Sequence, residues 1–145
     1  MDTQKPRVAI DGEHKIWLIG AMIYVSALFT LDVLTWIRFA FDISPPGGYT
    51  SAREGMAGLP GGLIGLLVFG TVLQAVTIVS LIRRVKLATA GFFLLALNGV
   101  IVLGWLISIN YFRAEEVFDN SVIGIICAIG LGIWSIIATR RGVLT

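Results

Sequence analysis

The sequence is poor in charged residues and in the side chains that bind metals. Asp, Glu, Lys and Arg make up only 14% of its 145 residues, against roughly 25% in soluble domains. It has one cysteine, Cys127, and one histidine, His14. A lone cysteine excludes an internal disulfide and a CxxC redox pair, and a lone histidine excludes bis-histidine haem ligation. No cluster of Cys and His offers a zinc site, so we expect neither a cofactor nor a metal.

Catalytic and nucleic-acid-binding patterns are also missing. The chain contains no HExxH, GxSxG or P-loop sequence. No basic stretch is interleaved with aromatic residues, so we expect no nucleic-acid partner. An enzyme would have to use Asp32, Glu115 or Glu116 as a general base, and their spacing alone positions no pair. The sequence therefore favours a non-catalytic protein.

Long apolar runs dominate the remainder, since 57% of the residues are hydrophobic. Four runs have about the ~20 residues with which a helix crosses ~30 Å of hydrocarbon. We predict an all-α integral membrane protein with one transmembrane domain, residues 16–139, folded as an antiparallel up-down bundle. The predicted helices are residues 16–38, 59–82, 87–110 and 121–139. The connections are a polar tail (1–15), outer loops (39–58 and 111–120), a hairpin (83–86) and a C-terminal segment (140–145).

The distribution of Lys and Arg predicts the orientation of the helices. Eight of these residues fall on one side of the predicted membrane: Lys5, Arg7, Lys15, Arg83, Arg84, Lys86, Arg140 and Arg141. Three fall on the other side: Arg38, Arg53 and Arg113. Because an excess of Lys and Arg marks the cytoplasmic side, we predict a multi-pass protein of the cell membrane with both termini and the 83–86 hairpin in the cytoplasm.

Asp32 is the most informative polar residue inside the predicted helices. An ionised carboxylate costs roughly 2.5–3.5 kcal/mol at the bilayer centre and less near the interface. One interpretation is an ion pair near the outer interface, where Arg113 reaches Asp32 from the end of the third helix while Arg38 extends to the outer headgroups. A second is a protonatable or cation-binding carboxylate on a transport path. A third is a contact with another subunit.

Gln74 and Asn98 form a second polar feature. The short 83–86 connection makes the second and third helices antiparallel neighbours, so the two residues lie at similar depths. We predict a side-chain hydrogen bond between them, which would shield both amides from lipid. Such bonds are worth about 0.6 kcal/mol on average in membranes. The alternative is that they bind a ligand.

Small residues form a stripe on the fourth helix, where Gly124, Ala128 and Gly132 recur every four residues. Small residues let helix backbones approach closely in lipid. The stripe is interpreted either as packing within the bundle or as a face for a second protein or another copy. The four tryptophans, Trp17, Trp36, Trp105 and Trp134, are interpreted as anchors at the membrane interfaces.

These observations leave two functions open. The first is a non-catalytic accessory, assembly or regulatory subunit of a larger membrane complex, which fits the small size and the missing catalytic motifs. The alternative is an oligomeric transporter or channel for a small solute or ion, with Asp32 as its intramembrane carboxylate. In either case the expected partners are the lipid bilayer and a membrane protein or further copies of the chain.

Overall fold

The computed structural model describes residues 12–43, 59–108 and 115–145, with the backbone alone for 115–120. Four helices account for most of these residues: α1 (Gly12–Phe41), α2 (Gly61–Arg83), α3 (Leu87–Ser108) and α4 (Glu115–Arg140). No strand occurs in the described ranges. The all-helical prediction is therefore confirmed for this part of the chain.

All four helices are long and apolar enough to span a membrane by length and composition. Large apolar side chains cover their outer faces, and Ile23, Val72, Leu97 and Ile126 are each more than half exposed. A water-soluble protein rarely leaves so much contiguous apolar surface uncovered. The exposed surface and the helix lengths together indicate a multi-pass membrane protein.

The helices extend by three or more residues beyond the predicted runs at three ends. α1 takes in Gly12–Lys15 at its start and continues to Phe41, while α4 begins at Glu115 in the predicted outer loop. An apolar run marks only the part of a helix that lipid surrounds. The backbone hydrogen bonds of the helix continue into the polar residues on either side, so the helix is longer than the run. The polar tail before residue 12, the centre of the first outer loop and residues 109–114 lie outside the described residues.

Consecutive helices provide most of the backbone packing, between α1 and α2, α2 and α3, and α3 and α4. α1 and α4 make no backbone contact of comparable extent. They meet instead through side chains, such as Tyr24, whose hydroxyl donates to the Gly124 carbonyl at 3.0 Å. We call this boundary between α1 and α4 the seam.

The connection between α2 and α3 is a tight turn of three residues, 84–86. Arg84 has a left-handed backbone, with φ 56°. Its N–H donates to the Leu81 carbonyl at 3.1 Å, and the N–H of Val85 donates to the Ser80 carbonyl at 2.9 Å. These two bonds form a Schellman cap, which satisfies carbonyls that the helix end would otherwise leave unpaired.

α4 ends in the same way at Gly142, which has φ 74°. The N–H groups of Gly142 and Val143 donate to the carbonyls of Thr139 and Ala138 at 3.1 and 2.9 Å. The chain then turns back beneath the helices, where Thr145 donates its N–H to the Arg84 carbonyl at 2.7 Å. The final residues are thus attached to the α2–α3 turn.

A cluster of buried apolar residues fills the space beside this turn. We call it the turn-end core, and its members are Leu18, Ala21, Val25, Leu81, Ala88, Phe92, Trp134, Ala138, Val143 and Leu144. Nearby, Arg141 approaches the Nε2 of buried His14 with its Nη1 at 3.1 Å. Every helix therefore contributes to one packed region at this end of the molecule.

The tryptophans differ from their predicted role as interface anchors. Trp134 is only 7% exposed and belongs to the turn-end core. Trp105 lies over Gly62, where an added Cβ would come within 2.7 Å of its ring. Trp36 donates to a hydroxyl of α2. Trp17, which is 50% exposed, keeps the exposure expected of an anchor.

Candidate functional site

A polar cluster joins α1 to α2 in the half of the helices away from the turn-end core. Asp32 and Trp36 lie one turn apart on α1, and Thr71 and Gln74 lie one turn apart on α2, so each pair shares a helix face. The Oδ2 atom of Asp32 accepts a hydrogen bond from Gln74 Nε2 at 3.0 Å. It also lies 3.3 Å from Thr71 Oγ1, whose single proton is shared with the Leu67 carbonyl at 3.1 Å. Trp36 Nε1 donates to Thr71 Oγ1 at 3.0 Å.

This cluster explains how a carboxylate is accommodated in an apolar helix. Hydrogen bonds to a carboxylate are stronger than those between neutral groups, and they offset part of the cost of removing it from water. The Oδ1 atom of Asp32 accepts no hydrogen bond from the described residues. One oxygen of the carboxylate is therefore held by α2 while the other retains its capacity to accept.

The arginine considered as an ion-pair partner of Asp32, Arg113, lies outside the described residues, so that interpretation stays a prediction. Within the described ranges, the bonds that Asp32 makes go to Thr71 and Gln74, and Arg38 is exposed near the end of α1. Among the described residues, the groups next to this carboxylate are thus neutral donors rather than a cation.

A cavity of about 280 Å³ lies beside the cluster and is reached by all four helices. Its polar lining consists of Tyr24, Asp32, Gln74, Asn98 and Ser121. Apolar residues supply most of the remaining wall: Leu28, Leu67, Phe92, Leu95, Val102, Leu103, Ile125 and Ala128. A small number of polar groups in an apolar wall is typical of a small-molecule site.

The predicted hydrogen bond between Gln74 and Asn98 is not formed. Both residues line the cavity, but the Gln74 amide donates to Asp32 instead. The Oε1 of Gln74 and the Oδ1 of Asn98 are both buried without a partner. The prediction is wrong because a carboxylate is a stronger acceptor than a neutral amide, and Asp32 on α1 lies within reach of Gln74.

A glycine allows Asn98 to approach α2. Gly70 is buried, and a Cβ added there would lie 2.9 Å from the Asn98 Nδ2. Gly70 precedes Gln74 by one helical turn, so Asn98 packs against the face of α2 that carries the polar cluster. The three polar residues selected from the sequence, Asp32, Gln74 and Asn98, thus surround one cavity on three different helices.

The stripe on α4 faces the interior of the chain. The Gly124 carbonyl accepts from Tyr24, Ala128 is buried beside the cavity, and Gly132 packs against Phe93, whose ring would lie 3.0 Å from an added Cβ. Close approach within the chain therefore accounts for Gly132, whereas a Cβ at Gly124 would meet the Tyr24 hydroxyl at an ordinary 3.8 Å.

Three residues of this region were not selected from the sequence. Thr71 and Trp36 complete the cluster around Asp32, and Tyr24 connects α1 to α4. Thr71 lies three residues before Gln74, the helical spacing that puts both on one face, and this signal was available. Nothing local distinguishes Tyr24, because its partner is a backbone carbonyl 100 residues away.

Metal chemistry has no candidate among the described residues, where no group of three or more His, Cys, Asp or Glu residues lies together. Cys127 is a free thiol on α4. What the cavity does offer is hydrogen-bond acceptors: two buried amide oxygens without partners and one carboxylate oxygen that accepts no bond from the described residues. Comparisons with protein-family models, with curated proteins and with solved structures find no significant match to this chain.

Proposed function

We propose that this protein is a non-catalytic, multi-pass protein of the cell membrane whose central cavity binds and conducts a small cationic solute or ion. The observation that carries the proposal is the position of Asp32, Gln74 and Asn98 around one cavity. In this proposal the four helices form an antiparallel bundle, with the α2–α3 turn and both termini on the cytoplasmic side, as the Lys and Arg distribution favours. Several copies assemble to complete the path.

The chemistry of the cavity favours a cation over an anion or a neutral solute. Buried acceptors without partners each cost about 1–3 kcal/mol, and a bound hydrogen-bond donor recovers that energy. The carboxylate of Asp32 supplies the only negative charge that lines the cavity among the described residues. An anion would meet this charge with no basic residue in the lining to compensate for it.

Flux through proteoliposomes tests this proposal. Methylammonium is a suitable probe because it carries one positive charge and three N–H donors in a small volume. The wild-type protein is expected to transport it, and Asp32→Asn is expected to reduce the flux at least tenfold because the charge is lost while the shape is kept. Unchanged flux in Asp32→Asn would contradict the proposal, as would the absence of flux in the wild-type protein.

A matched control distinguishes the site from a general effect of charge. Asp42 is an exposed carboxylate just beyond the end of α1. Asp42→Asn removes the same charge from the same region of the chain and should leave the flux of methylammonium unchanged. A variant with intermediate flux is expected for Asp32→Glu, since it keeps the carboxylate but moves it by one methylene.

The second candidate function is an accessory, assembly or regulatory subunit of a larger membrane complex. Its support is a pair of glycines on the outer face of α2. Gly61 and Gly65 are exposed, and an added Cβ at either would meet nothing within 4 Å. Glycines four residues apart on an open helix face permit the close approach of a second helix.

Co-purification in mild detergent tests this second candidate. Gly65→Leu should release a partner, or separate the copies of a homo-oligomer, because the bulky side chain blocks close approach. Gly104→Leu is the control, since Gly104 is also exposed with open space around it and lies on α3. If both variants keep the same oligomeric state and the same partners as the wild-type protein, this face of α2 is covered by lipid alone.

The proposed orientation is tested by labelling. Cys127 is first replaced by Ala to give a cysteine-free chain, and single cysteines are then introduced at Lys86, in the α2–α3 turn, and at Asp42. A membrane-impermeant maleimide added to intact cells should label the Asp42→Cys chain but not the Lys86→Cys chain. The opposite pattern would reverse the proposed orientation.

A further inference from the structure

The seam between α1 and α4 contains an apolar groove of about 540 Å³. Small residues give it depth, because Gly20 on α1 and Gly130 on α4 are both exposed and an added Cβ at either position would meet nothing within 4 Å. Trp17 and Leu131 contribute larger apolar surface. The groove lies on the outside of helices whose length and composition suit a bilayer, so its natural surroundings are lipid chains.

Tyr24 is shared by the groove and the central cavity. It lines both spaces, and its hydroxyl donates to the Gly124 carbonyl across the seam. This side chain, held by one hydrogen bond of 3.0 Å, therefore stands between the apolar groove and the cavity that Asp32, Gln74 and Asn98 line. Backbone packing does not reinforce the boundary here, since α1 and α4 lack the extensive contact of the consecutive helices.

We propose that the cavity and the groove together form one binding site for a long-chain primary ammonium, with the ammonium group at Asp32, Gln74 and Asn98 and the alkyl chain in the seam. This inference rests on the proposed function, because it names the class of cation that the same site takes. The ligand reaches the site sideways from the bilayer, past Tyr24, rather than from water.

The chemistry of each end matches this ligand. A primary ammonium has three N–H donors and one positive charge, which match the unpartnered amide oxygens of Gln74 and Asn98 and the Asp32 oxygen that accepts no hydrogen bond from the described residues. The groove offers almost entirely apolar surface. From Asp32 to Tyr24, where the cavity meets the groove, the distance along α1 is about 12 Å, at 1.5 Å per residue, so the end of an extended chain of twelve or more carbons lies in the groove.

Binding to the full-length protein in phosphatidylcholine nanodiscs tests the inference, with empty nanodiscs as the blank. Three probes are compared: dodecylammonium, methylammonium and neutral 1-dodecanol. Wild-type protein is expected to bind dodecylammonium at least tenfold more tightly than methylammonium and to show no saturable binding of 1-dodecanol. Equal affinities for the two ammonium probes, or saturable binding of 1-dodecanol, would overturn the inference.

Substitutions separate the two ends of the site. Gly130→Leu fills the groove without a clash and should weaken dodecylammonium at least tenfold while leaving methylammonium unchanged. Gly20→Leu should do the same from the opposite wall. Gly104→Leu, on an exposed face of α3 outside the groove, should change neither affinity.

The outcomes also distinguish this inference from the proposed function. Asp32→Asn should weaken both ammonium probes. If Gly130→Leu and Gly20→Leu leave dodecylammonium binding intact while Asp32→Asn still weakens methylammonium, the seam is not part of the site and the cation site stands. If Asp32→Asn has no effect on methylammonium, the proposed function fails, and this inference fails with it.

Discussion

The two halves of the helices differ in how tightly their side chains pack. At the α2–α3 turn, ten apolar residues from all four helices and the C-terminal segment form one core, with Phe92, Leu81 and Leu144 fully buried. In the other half, the helices surround a cavity of about 280 Å³ with polar groups that lack partners. Side chains fill the first region, whereas the second contains a cavity.

This difference separates a tightly packed half from a half that contains a cavity. Helices in lipid gain little from hydrophobicity, so they depend on close packing and hydrogen bonds. The turn-end core supplies the packing, although the Nε1 of Trp134 is buried there without a partner. The cavity half gives up packing and leaves two amide oxygens unpaired beside an open space, at about 1–3 kcal/mol for each buried group. Because these two groups line a cavity, a ligand is expected to bind beside them rather than at the turn-end core.

The largest expected effect on stability comes from a substitution that creates a cavity in the turn-end core. Leu81→Ala should lower the free energy of unfolding by about 2–5 kcal/mol, because Leu81 is fully buried and the substitution leaves a cavity in the turn-end core. Ile82→Ala is the matched control, because the neighbouring Ile82 is 61% exposed and should change stability by less than about 0.5 kcal/mol. Thermal unfolding in detergent measures both. Equal losses in the two variants would show that the turn-end core is not specially packed.

The next effect concerns the closest approach of α2 and α3. At Gly91 the side chain of buried Thr77 occupies the position that a Cβ would take. Gly91→Ala should therefore cost about 1–3 kcal/mol by overpacking, and the same thermal unfolding measures it. Gly104→Ala, in open space, should be neutral or slightly stabilising. Adding Thr77→Ala to Gly91→Ala should restore much of the loss, and a purely additive double variant would contradict the contact.

A substitution in the half that contains the cavity is expected to increase stability. Asn98→Leu keeps the branched shape of the side chain and removes a buried oxygen that has no partner. It should raise the unfolding free energy of the ligand-free protein by about 1 kcal/mol and abolish the stabilisation that methylammonium gives. Differential scanning fluorimetry with and without methylammonium measures both effects. A destabilised Asn98→Leu variant would mean that the amide is satisfied in the folded protein.

The smallest effects concern the two helix caps beside the turn-end core. Gly142 has φ 74°, so Gly142→Ala should cost about 1 kcal/mol, because a side chain disfavours the left-handed backbone. Arg84 has φ 56° without being glycine, so Arg84→Gly should gain up to about 1 kcal/mol for the same reason. Chemical denaturation of the two variants tests this pair. Changes of the same sign would show that backbone strain is not the controlling term.

The sequence was sufficient to predict the four helices of spanning length that the structure describes, because length and hydrophobicity alone determine whether a segment is able to span a bilayer. It was also sufficient to select Asp32, Gln74 and Asn98, because a polar residue in an apolar run is conspicuous. It was not sufficient to pair them. The partner of Gln74 depended on whether Asp32 on α1 or Asn98 on α3 was the stronger acceptor within its reach. Hydrophobic periodicity does not reveal which side chains of different helices come within reach of each other.

Tertiary contacts also decided the roles of the tryptophans and of the C-terminal segment. Trp134 was predicted at the interface from its position near a helix end, but the chain beyond α4 folds back and covers it with Val143 and Leu144. Residues 140–145 carried no apolar periodicity long enough to predict such packing. The reversal depends on Gly142, whose left-handed backbone redirects the chain at the end of α4.

The hydrogen bond between Tyr24 and Gly124 joins positions 100 residues apart. α2, α3 and α4 each dock on the preceding helix soon after they enter the membrane, so their contacts close short loops. α1 meets α4 only after all four helices have packed. Contacts between residues far apart in the sequence are also slow to form. We expect the seam to be the last part of the protein to assemble and the first to open. In hydrogen exchange, backbone amides along the facing sides of α1 and α4 should therefore exchange before those between α3 and α4.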